Sequence, residues 1–250
     1  MPQRVFSGMT DIGLQRERNE DAFVISPELD FCLAADGIGG AAAGEIASRI
    51  FAETTLEIFS RNTNRSEKEI LYRVQKAFSS VNEKILEHVI ENPSHKGMGC
   101  TAELLAFYDG GFILGHIGDS RTYRFRKGQL EQLTEDHTLV QQQVNEGLIS
   151  SENVRHHPLR NVILRAVGLE KELALDVLRG KTASGDLFLL CSDGLTDMVE
   201  DDQIWEILLS DIDINRKTEK LIEMAKAAGG YDDREPKSQG NGLYSRTFGI

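Results

Sequence analysis

The sequence predicts an α+β fold in which two β-sheets lie inside and helices lie outside, in one domain. Short apolar runs bounded by Gly and turn residues recur along the chain, and each indicates a strand. Longer stretches with apolar residues three and four apart separate these runs and indicate helices. Strand clusters that alternate with helix pairs favour two layers of sheet covered by helices.

The composition is typical of an acidic globular protein. The chain has 250 residues and is 40% hydrophobic, so it is long enough to fill a core. Asp and Glu number 40 against 28 Lys and Arg, and a nucleic-acid duplex is not an expected partner, because binding it requires a basic face. The start of the chain carries no apolar targeting segment, and no run of about 18 apolar residues occurs. We therefore expect a cytoplasmic protein with no membrane partner.

Each element is predicted from its local pattern. The clearest helix covers residues 66–91, where Ser66 and Glu69 form a capping-box pattern ahead of a regular apolar stripe. In chain order, the predicted strands are residues 4–8, 22–26, 31–35, 101–108, 111–117, 121–125, 161–166, 173–178 and 186–192. The other predicted helices are residues 43–60, 201–210 and 215–228. Cys32, Cys100 and Cys191 lie in or beside apolar strands without C-x-x-C spacing, so we predict reduced core cysteines.

Three apolar strands are each followed by an Asp beside a Gly. The pairs are Asp36-Gly37, Gly118-Asp119 and Asp193-Gly194. A single Asp at such a place is typical of a cap or a turn, so the prediction of a site depends on the recurrence. Further acidic residues near predicted element ends are Glu20, Asp21, Asp197, Asp232 and Asp233. Clustered carboxylates repel one another unless a cation neutralises them, and oxygen ligands favour Mg²⁺ or Mn²⁺.

A pair of such ions would suit the hydrolysis of a phosphate ester. Two ions a few ångströms apart convert a shared water to hydroxide near neutral pH, and this hydroxide can attack phosphorus. A guanidinium group would then be needed for the phosphate oxygens, because its fork binds them in bidentate fashion. Arg16 and Arg18 stand near the first acidic pair in the sequence.

Five segments together resemble the motifs of bacterial metal-dependent protein phosphatases of the 2C type, the PPM family. The segments are Arg16-x-x-Asn19-Glu20-Asp21, Ala35-Asp36-Gly37-Ile38-Gly39-Gly40, Gly97-Met98-Gly99-Cys100-Thr101, Gly115-His116-Ile117-Gly118-Asp119-Ser120-Arg121 and Cys191-Ser192-Asp193-Gly194-Leu195-Thr196-Asp197. The resemblance implies a four-layer α-β-β-α sandwich of two mainly antiparallel sheets, with residues 1–233 as the catalytic domain. It also implies hydrolysis of phosphoserine and phosphothreonine by a water that bridges two metal ions. Residues 135–161, a polar stretch with helical periodicity, match the family's mobile flap and are called the flap segment below.

The resemblance also implies a role for each site residue. The implied Mn²⁺ or Mg²⁺ ligands are Asp36 between two ions, Glu20 and the Gly37 carbonyl on one, Asp193 and Asp232 on the other, and Asp119 and Asp197 on a third, weaker ion. Asp21 would act through a metal-bound water. Arg16 would bind the phosphate, which makes Arg16 and Asp36 the expected catalytic residues.

Two features depart from the family pattern. Ile38 stands where some members have a histidine proposed as proton donor, and His116, His137, His156 and His157 are only weak replacements. Residues 234–250 form an atypical polar tail where the family continues as a strand. Because this tail contains Pro and Gly, we expect the terminal strand to be missing and a sheet edge to stay open.

Two other functions remain open from the sequence. One is a non-catalytic phosphatase-fold binding module, weakened by loss of the terminal strand, and the other is a phosphohydrolase of small phosphate esters. The chain lacks the G-x-x-x-x-G-K-[ST] loop, which argues against a P-loop nucleotidase. If the chain is a protein phosphatase, its expected partners are phosphorylated proteins and an opposing Ser/Thr protein kinase, and we expect it to be a monomer.

Overall fold

The computed structural model describes residues 4–13, 19–39, 43–61, 64–229 and 246–249. These residues contain eleven strands and six α-helices. The strands are β1 Gly8–Asp11, β2 Asp21–Ser26, β3 Phe31–Ile38, β4 Gly99–Cys100, β5 Ala102–Tyr108, β6 Gly111–Ile117, β7 Arg121–Arg126, β8 Gln129–Gln132, β9 Asp176–Lys181, β10 Leu187–Cys191 and β11 Arg246–Gly249. The helices are α1 Ala43–Ser60, α2 Glu67–Glu91, α3 Leu139–Asn145, α4 Asp193–Thr196, α5 Asp201–Leu209 and α6 Ile214–Gly229.

The strands form two sheets. Sheet 1 has the order β1-β11-β10-β7-β8, and sheet 2 has the order β2-β3-β5-β6-β9 with β4 paired to β3. Every strand pair in the described residues is antiparallel. A hairpin turn at Asp109-Gly110 joins β5 to β6, and Gly110 has the positive φ that such a turn requires.

Helices cover the outer face of each sheet. Helices α1 and α2 share one core cluster with sheet 2, and α5 and α6 share another with sheet 1. A third cluster lies between the sheets, where Cys32, Leu105 and Phe107 of sheet 2 meet Phe188 and Leu190 of sheet 1. The predicted α+β sandwich with the layer order α-β-β-α is confirmed.

Burial on both faces explains the continuous apolar runs in the central strands. In β3, Cys32 and Ala34 belong to the cluster between the sheets, while Leu33 and Ala35 belong to the cluster under the helices. Successive side chains of a strand point to opposite faces, so a strand covered on both sides needs apolar residues at every position. The three cysteines are free and buried, as predicted. None of the described helices is long and apolar enough to cross a membrane.

Several predicted boundaries were wrong. The first strand covers Gly8–Asp11 rather than 4–8, β9 begins at Asp176 rather than 173, and β8 was not predicted. Residues 161–166 form only an isolated bridge, between Ile163 and Thr138. Residues 161–166 come at the end of the flap segment and pair with its beginning at one position, so they do not form a strand of either sheet.

The expectation of a missing terminal strand is also wrong. Arg246–Gly249 forms β11, which pairs with β1 along its length and with Leu190 and Cys191 of β10. Residues 233–242 are polar, and for this reason we expected no strand anywhere in the tail. Further along the tail, Thr247 and Phe248 are residue types that favour strands. The edges of β1 and β10 provide backbone donors and acceptors on either side of β11, which favours a short strand between them.

Candidate metal centre and active site

The first acidic residues are brought together by the pairing of β2 with β3. Asp21 and Asp36 lie directly opposite each other in the strand register. Just beyond them, the Gly37 N–H donates to the Glu20 carbonyl at 3.1 Å, and Ser48 Oγ of α1 donates to the same carbonyl at 2.6 Å. The backbone of the strand pair and the start of α1 therefore fix the position of Glu20 relative to Asp36.

Gly37 and Gly44 let α1 approach the strand end closely. A Cβ atom built on Gly37 would lie 2.2 Å from the Gly44 carbonyl oxygen, and one built on Gly44 would lie 2.8 Å from the Gly37 carbonyl oxygen and 3.1 Å from Glu20 Oε1. Real Cβ atoms do not tolerate contacts of 2.2 Å with backbone. The glycines in the Asp36-Gly37 and Gly44-Glu45 pairs are thus required by backbone packing beside the carboxylates.

Thr101 holds the backbone of Asp36 through two hydrogen bonds. The Asp36 N–H donates to Thr101 Oγ1 at 3.2 Å, and the Asp36 carbonyl accepts from the Thr101 N–H at 2.9 Å. Thr101 Oγ1 also shares a hydrogen bond of 2.7 Å with Ser120 Oγ, the residue after Asp119. The Gly97–Thr101 and Gly115–Arg121 motifs therefore meet behind the Asp36 backbone.

A second set of carboxylates comes from the end of β6 and from α4. Asp119 follows β6, Asp193 is the first residue of α4, and Asp197 is its C-cap. Ser192 Oγ donates to Asp21 Oδ2 at 3.1 Å, and the carboxyl groups of Asp193 and Asp36 lie close enough to interact. These two contacts join the start of α4, which follows β10 of sheet 1, to the Asp21 and Asp36 pair of sheet 2.

Burial and mutual repulsion make this cluster a poor place for negative charge alone. Burial, with Asp136 and Asp197 nearby, raises the pKa of Asp119 to about 7. Burial, followed by repulsion from Asp119 and Asp197, raises the pKa of Asp193 well above its usual range. The buried Oδ1 of Asp193 has no hydrogen-bond partner among the described residues. A cation with a preference for oxygen ligands would remove both the repulsion and the unmet acceptor, so the donor set fits a hard divalent ion.

The described side chains do not complete such a site by themselves. No group of three or more His, Cys, Asp and Glu side chains in the described ranges is arranged so that it could hold an ion alone. A complete metal site would therefore need further ligands, either of other kinds or from outside the described ranges. Arg16 and Asp232, both predicted site residues, lie outside the described residues.

A cavity of about 600 Å³ lies between the second carboxylate set and the flap segment. Its lining includes Asp119, Asp193 and Asp197 on one side and Arg155, His156 and Arg160 of the flap segment on the other. Arg155 Nη1 is 2.9 Å from Glu200 Oε2, and Arg160 Nη2 is 3.5 Å from Asp197 Oδ2. The flap segment thus closes over the carboxylates through ion pairs at its far end.

The near end of the flap segment is attached through Arg121. Its guanidinium binds the Asp136 carboxylate in bidentate fashion, with Nε 2.8 Å from Oδ1 and Nη2 2.7 Å from Oδ2. Nη1 donates to Tyr123 Oη at 3.2 Å, and Tyr123 in turn donates to Asp201 Oδ1 at 3.0 Å. The arginine of the Gly115–Arg121 motif therefore holds the flap segment to sheet 1, a role that the sequence did not suggest.

The structure therefore groups most of the predicted site residues. Glu20, Asp21, Asp36 and Gly37 form one set, Asp119, Asp193 and Asp197 form the other, and Ser192 and Asp36 connect them. His116 is completely buried and His137 nearly so, and both bind groups inside the protein, whereas His156 lines the cavity.

Sequence reasoning missed the residues that hold the carboxylates in place. Thr101, Ser120 and Ser192 each stand in a quoted motif, and Ser120 and Ser192 are next to a predicted ligand. That adjacency was the available indication. Arg121 and its partner Asp136 are 15 residues apart, and nothing in the sequence pairs them.

Comparisons with known proteins identify the family of the chain. The family model of protein phosphatase 2C matches residues 15–229. The serine/threonine phosphatase stp of Listeria innocua is 33% identical over 228 residues, which are 90% of this chain and 90% of that protein. The protein phosphatase PhpP of Streptococcus pneumoniae is 34% identical over 228 residues, which are 90% of this chain and 92% of that protein.

Solved structures of such phosphatases superpose on nearly the whole chain. The Mycobacterium tuberculosis serine/threonine phosphatase PstP/Ppp has a TM-score of 0.87 at 33% identity and covers 98% of this chain and 96% of its own. The catalytic domain of the serine/threonine protein phosphatase PstP in complex with two manganese ions has a TM-score of 0.83 at 31% identity, with 98% and 96% covered. Fold and site thus define a metal-dependent phosphatase. The chain belongs to the protein phosphatase 2C family.

Proposed function

We propose that this chain removes phosphate from phosphoserine and phosphothreonine in proteins with the help of bound divalent metal ions. Serine/threonine phosphatase activity follows from the family and from relatives about one third identical over most of the chain. The observation that carries the assignment to this site is the cluster of the buried Asp36 and Asp119 carboxylates with that of half-buried Asp193, whose repulsion calls for a cation.

The proposed metal ligands follow the order of the motifs. We assign Asp36 to both of two ions, Glu20 and the Gly37 carbonyl to the first, Asp193 and Asp232 to the second, and Asp119 and Asp197 to a third and weaker ion. Bound Mn²⁺ or Mg²⁺ would lower the pKa of a water molecule and neutralise phosphate charge. The hydrogen bond from Ser192 orients Asp21, and we assign Asp21 to act on the metal ions through a bound water.

Other residues bind and enclose the substrate in this proposal. Arg16 binds the phosphate oxygens, since a guanidinium suits them geometrically. The cavity beneath the flap segment receives the phosphorylated residue, and Arg155 and Arg160 place positive charge on its wall. We also propose that the flap segment gates this cavity, because its far end is held by partly exposed ion pairs and a hydrogen bond from Arg155 to the Asp197 carbonyl.

The remaining assignments concern the surroundings of the enzyme. We propose phosphorylated proteins as substrates, an opposing Ser/Thr protein kinase, a cytoplasmic location and a monomeric state, without nucleic-acid or membrane partners. The acidic net charge of −12 supports the absence of a nucleic-acid partner.

The test is hydrolysis of a phosphothreonine peptide by the full chain with added Mn²⁺, with added Mg²⁺ and with EDTA. Asp36→Asn and Asp193→Asn are compared with Glu53→Gln, a matched control on the exposed side of α1. Activity that requires metal, is retained in the control and is lost in both Asp variants supports the assignment. Retention of activity in either Asp variant refutes it, and faster turnover of a small aryl phosphate than of the peptide would favour the small-ester function.

A further inference from the structure

A charged pair lies inside sheet 2, close to the carboxylate cluster. Glu103 of β5 and His116 of β6 are directly opposite in the strand register, and neither side chain has any exposed surface. His116 Nδ1 bonds to the Glu103 carboxylate, whose other oxygen accepts from Thr122 Oγ1 at 2.5 Å. A buried ion pair stabilises a fold no better than apolar residues of similar volume, so packing alone does not account for it.

The other nitrogen of His116 reaches the flap segment. Nε2 donates to the Glu135 carbonyl at 2.9 Å. Because a carbonyl can only accept, Nε2 carries a proton, and a second proton lies in the hydrogen bond between Nδ1 and Glu103, whose own pKa is raised by burial. The Glu103 carboxylate outweighs the effect of burial and raises the pKa of His116 to about 9. His116 therefore anchors the first residue of the flap segment to the sheet.

Two residues later, His137 binds both polar groups of Gly118. Its N–H donates to the Gly118 carbonyl at 2.7 Å, and its Nδ1 accepts from the Gly118 N–H at 3.1 Å. Since Nδ1 accepts, the proton is on Nε2, which lies 3.2 Å from Asp176 Oδ2 of β9 and 3.2 Å from Arg165 Nη1, itself paired with Asp176. The ring packs on His116 at 4.6 Å between centroids, and burial together with the neighbouring positive charge lowers the pKa of His137. The pair thus keeps His137 neutral, the form in which Nδ1 can accept.

The bound glycine immediately precedes a carboxylate of the site. Gly118 has φ of +113°, and a Cβ built there would lie 2.5 Å from Thr101 Cβ. Asp119 follows it, and Ser120 then bonds to Thr101 behind Asp36. The position of the Gly118 peptide therefore sets the direction in which the Asp119 carboxylate leaves the sheet.

We infer that His137, kept neutral and in place by His116, is a positioning residue that couples the root of the flap segment to the Asp119 carboxylate. Movement of the flap segment and strength of the Asp119 ion site are then linked, because both depend on one pair of hydrogen bonds to Gly118. The inference rests on the proposed role of Asp119 as a metal ligand.

The experiment compares His137→Phe, which keeps a ring and loses the acceptor, with His137→Asn, whose side-chain oxygen can accept the Gly118 N–H. Mn²⁺ binding to the metal-stripped full chain is followed by the electron paramagnetic resonance of free Mn²⁺, and kcat and KM are measured on the phosphothreonine peptide. We expect His137→Phe to weaken the weakest Mn²⁺ site by about tenfold, or about 1.4 kcal/mol, as for one lost hydrogen bond. KM should rise more than kcat falls, and His137→Asn should restore most of the loss.

Two further variants make the outcome decisive. Asp119→Asn tests the proposed ligand: if it leaves Mn²⁺ binding unchanged, the assignment of Asp119 fails, and the inference fails with it. If Asp119→Asn loses an ion while folded His137→Phe binds Mn²⁺ like the unmodified chain, only the inference is refuted. His88→Phe, which removes a hydrogen-bonded histidine at the end of α2, is the control and should bind Mn²⁺ normally.

A uniform loss at every Mn²⁺ site with no rescue by His137→Asn would indicate a merely structural histidine and would also refute the inference. Should His137→Phe fail to fold, Glu103→Gln replaces it, since it keeps the shape of the buried pair and removes the counter-charge of His116. Selective weakening of the same Mn²⁺ site is expected there, and unchanged binding overturns the inference.

Discussion

Replacement of Thr101 by Val should destabilise the protein through hydrogen bonds rather than through volume. Thr101 is 1% exposed, and its hydroxyl accepts from the Asp36 N–H and shares a hydrogen bond with Ser120 Oγ. Val has nearly the same shape, so the change removes both hydrogen bonds and leaves two buried polar groups without this partner. At about 1–2 kcal/mol for each, the free energy of unfolding should fall by about 2–4 kcal/mol. For a chain of this length, the melting temperature should fall by about 5–15 °C.

Urea unfolding in EDTA measures this loss without a contribution from metal binding. Thr101→Ser is the matched control, since it keeps the hydroxyl and removes one buried methyl, at a cost of about 1 kcal/mol. Metal titration of both variants should show weaker Mn²⁺ binding only for Thr101→Val, because only this change releases the Asp36 backbone. A Thr101→Val protein that is as stable as Thr101→Ser would refute the hydrogen-bond reasoning.

Three further predictions concern charge. Burial chiefly raises the pKa of Asp119 to about 7 in the folded chain, above the unfolded value of about 4. The stability that Asp119 contributes is therefore complete below about pH 4 and is lost as the pH rises through about 7. In EDTA, Asp119→Asn should therefore reduce the fall in melting temperature between about pH 5 and pH 8, and an unchanged slope would contradict this. Arg121→Lys should lose the bidentate contact to the flap root and cost about 1–3 kcal/mol in thermal unfolding, whereas Arg124→Lys, whose carboxylate partner is largely exposed, should cost less than about 1 kcal/mol. Lys217 donates to three backbone carbonyls at the end of α5, so Lys217→Met should cost about 2–3 kcal/mol by calorimetry, while exposed Lys68→Met should be neutral; equal effects would exclude a capping role.

Local sequence predicted the parts of the molecule that depend on local chemistry. Asp36 and Asp193 were found because each follows an apolar strand and precedes a glycine, a pattern that can be read within ten residues. Helix α2 was found from its Ser66 cap, which accepts from the Glu69 N–H at 3.3 Å. These features are encoded close to where they appear.

The remaining features depend on contacts between distant segments. The hold of His137 on Gly118 and of Arg121 on Asp136 requires the flap root to fold back over β6 and β7, and no local pattern predicts which partners will meet. Strand β11 was missed for a related reason, because four residues in a polar tail become a strand only where β1 and β10 provide edges. Tertiary pairing here outweighs local composition.

The location of β11 also determines the order in which the molecule can be assembled. Among the described strands, β1 pairs with sheet 1 through β11 alone, so Gly8 gains its strand partner when Gly249 is present. Sheet 2 lies within residues 21–181 and can form while the later segments are still being synthesised. Contacts between residues so far apart in sequence form slowly, because the intervening chain must first lose its freedom. The strands that carry Asp21 and Asp36 can therefore pair before sheet 1 is complete, because sheet 1 needs β11 at residues 246–249.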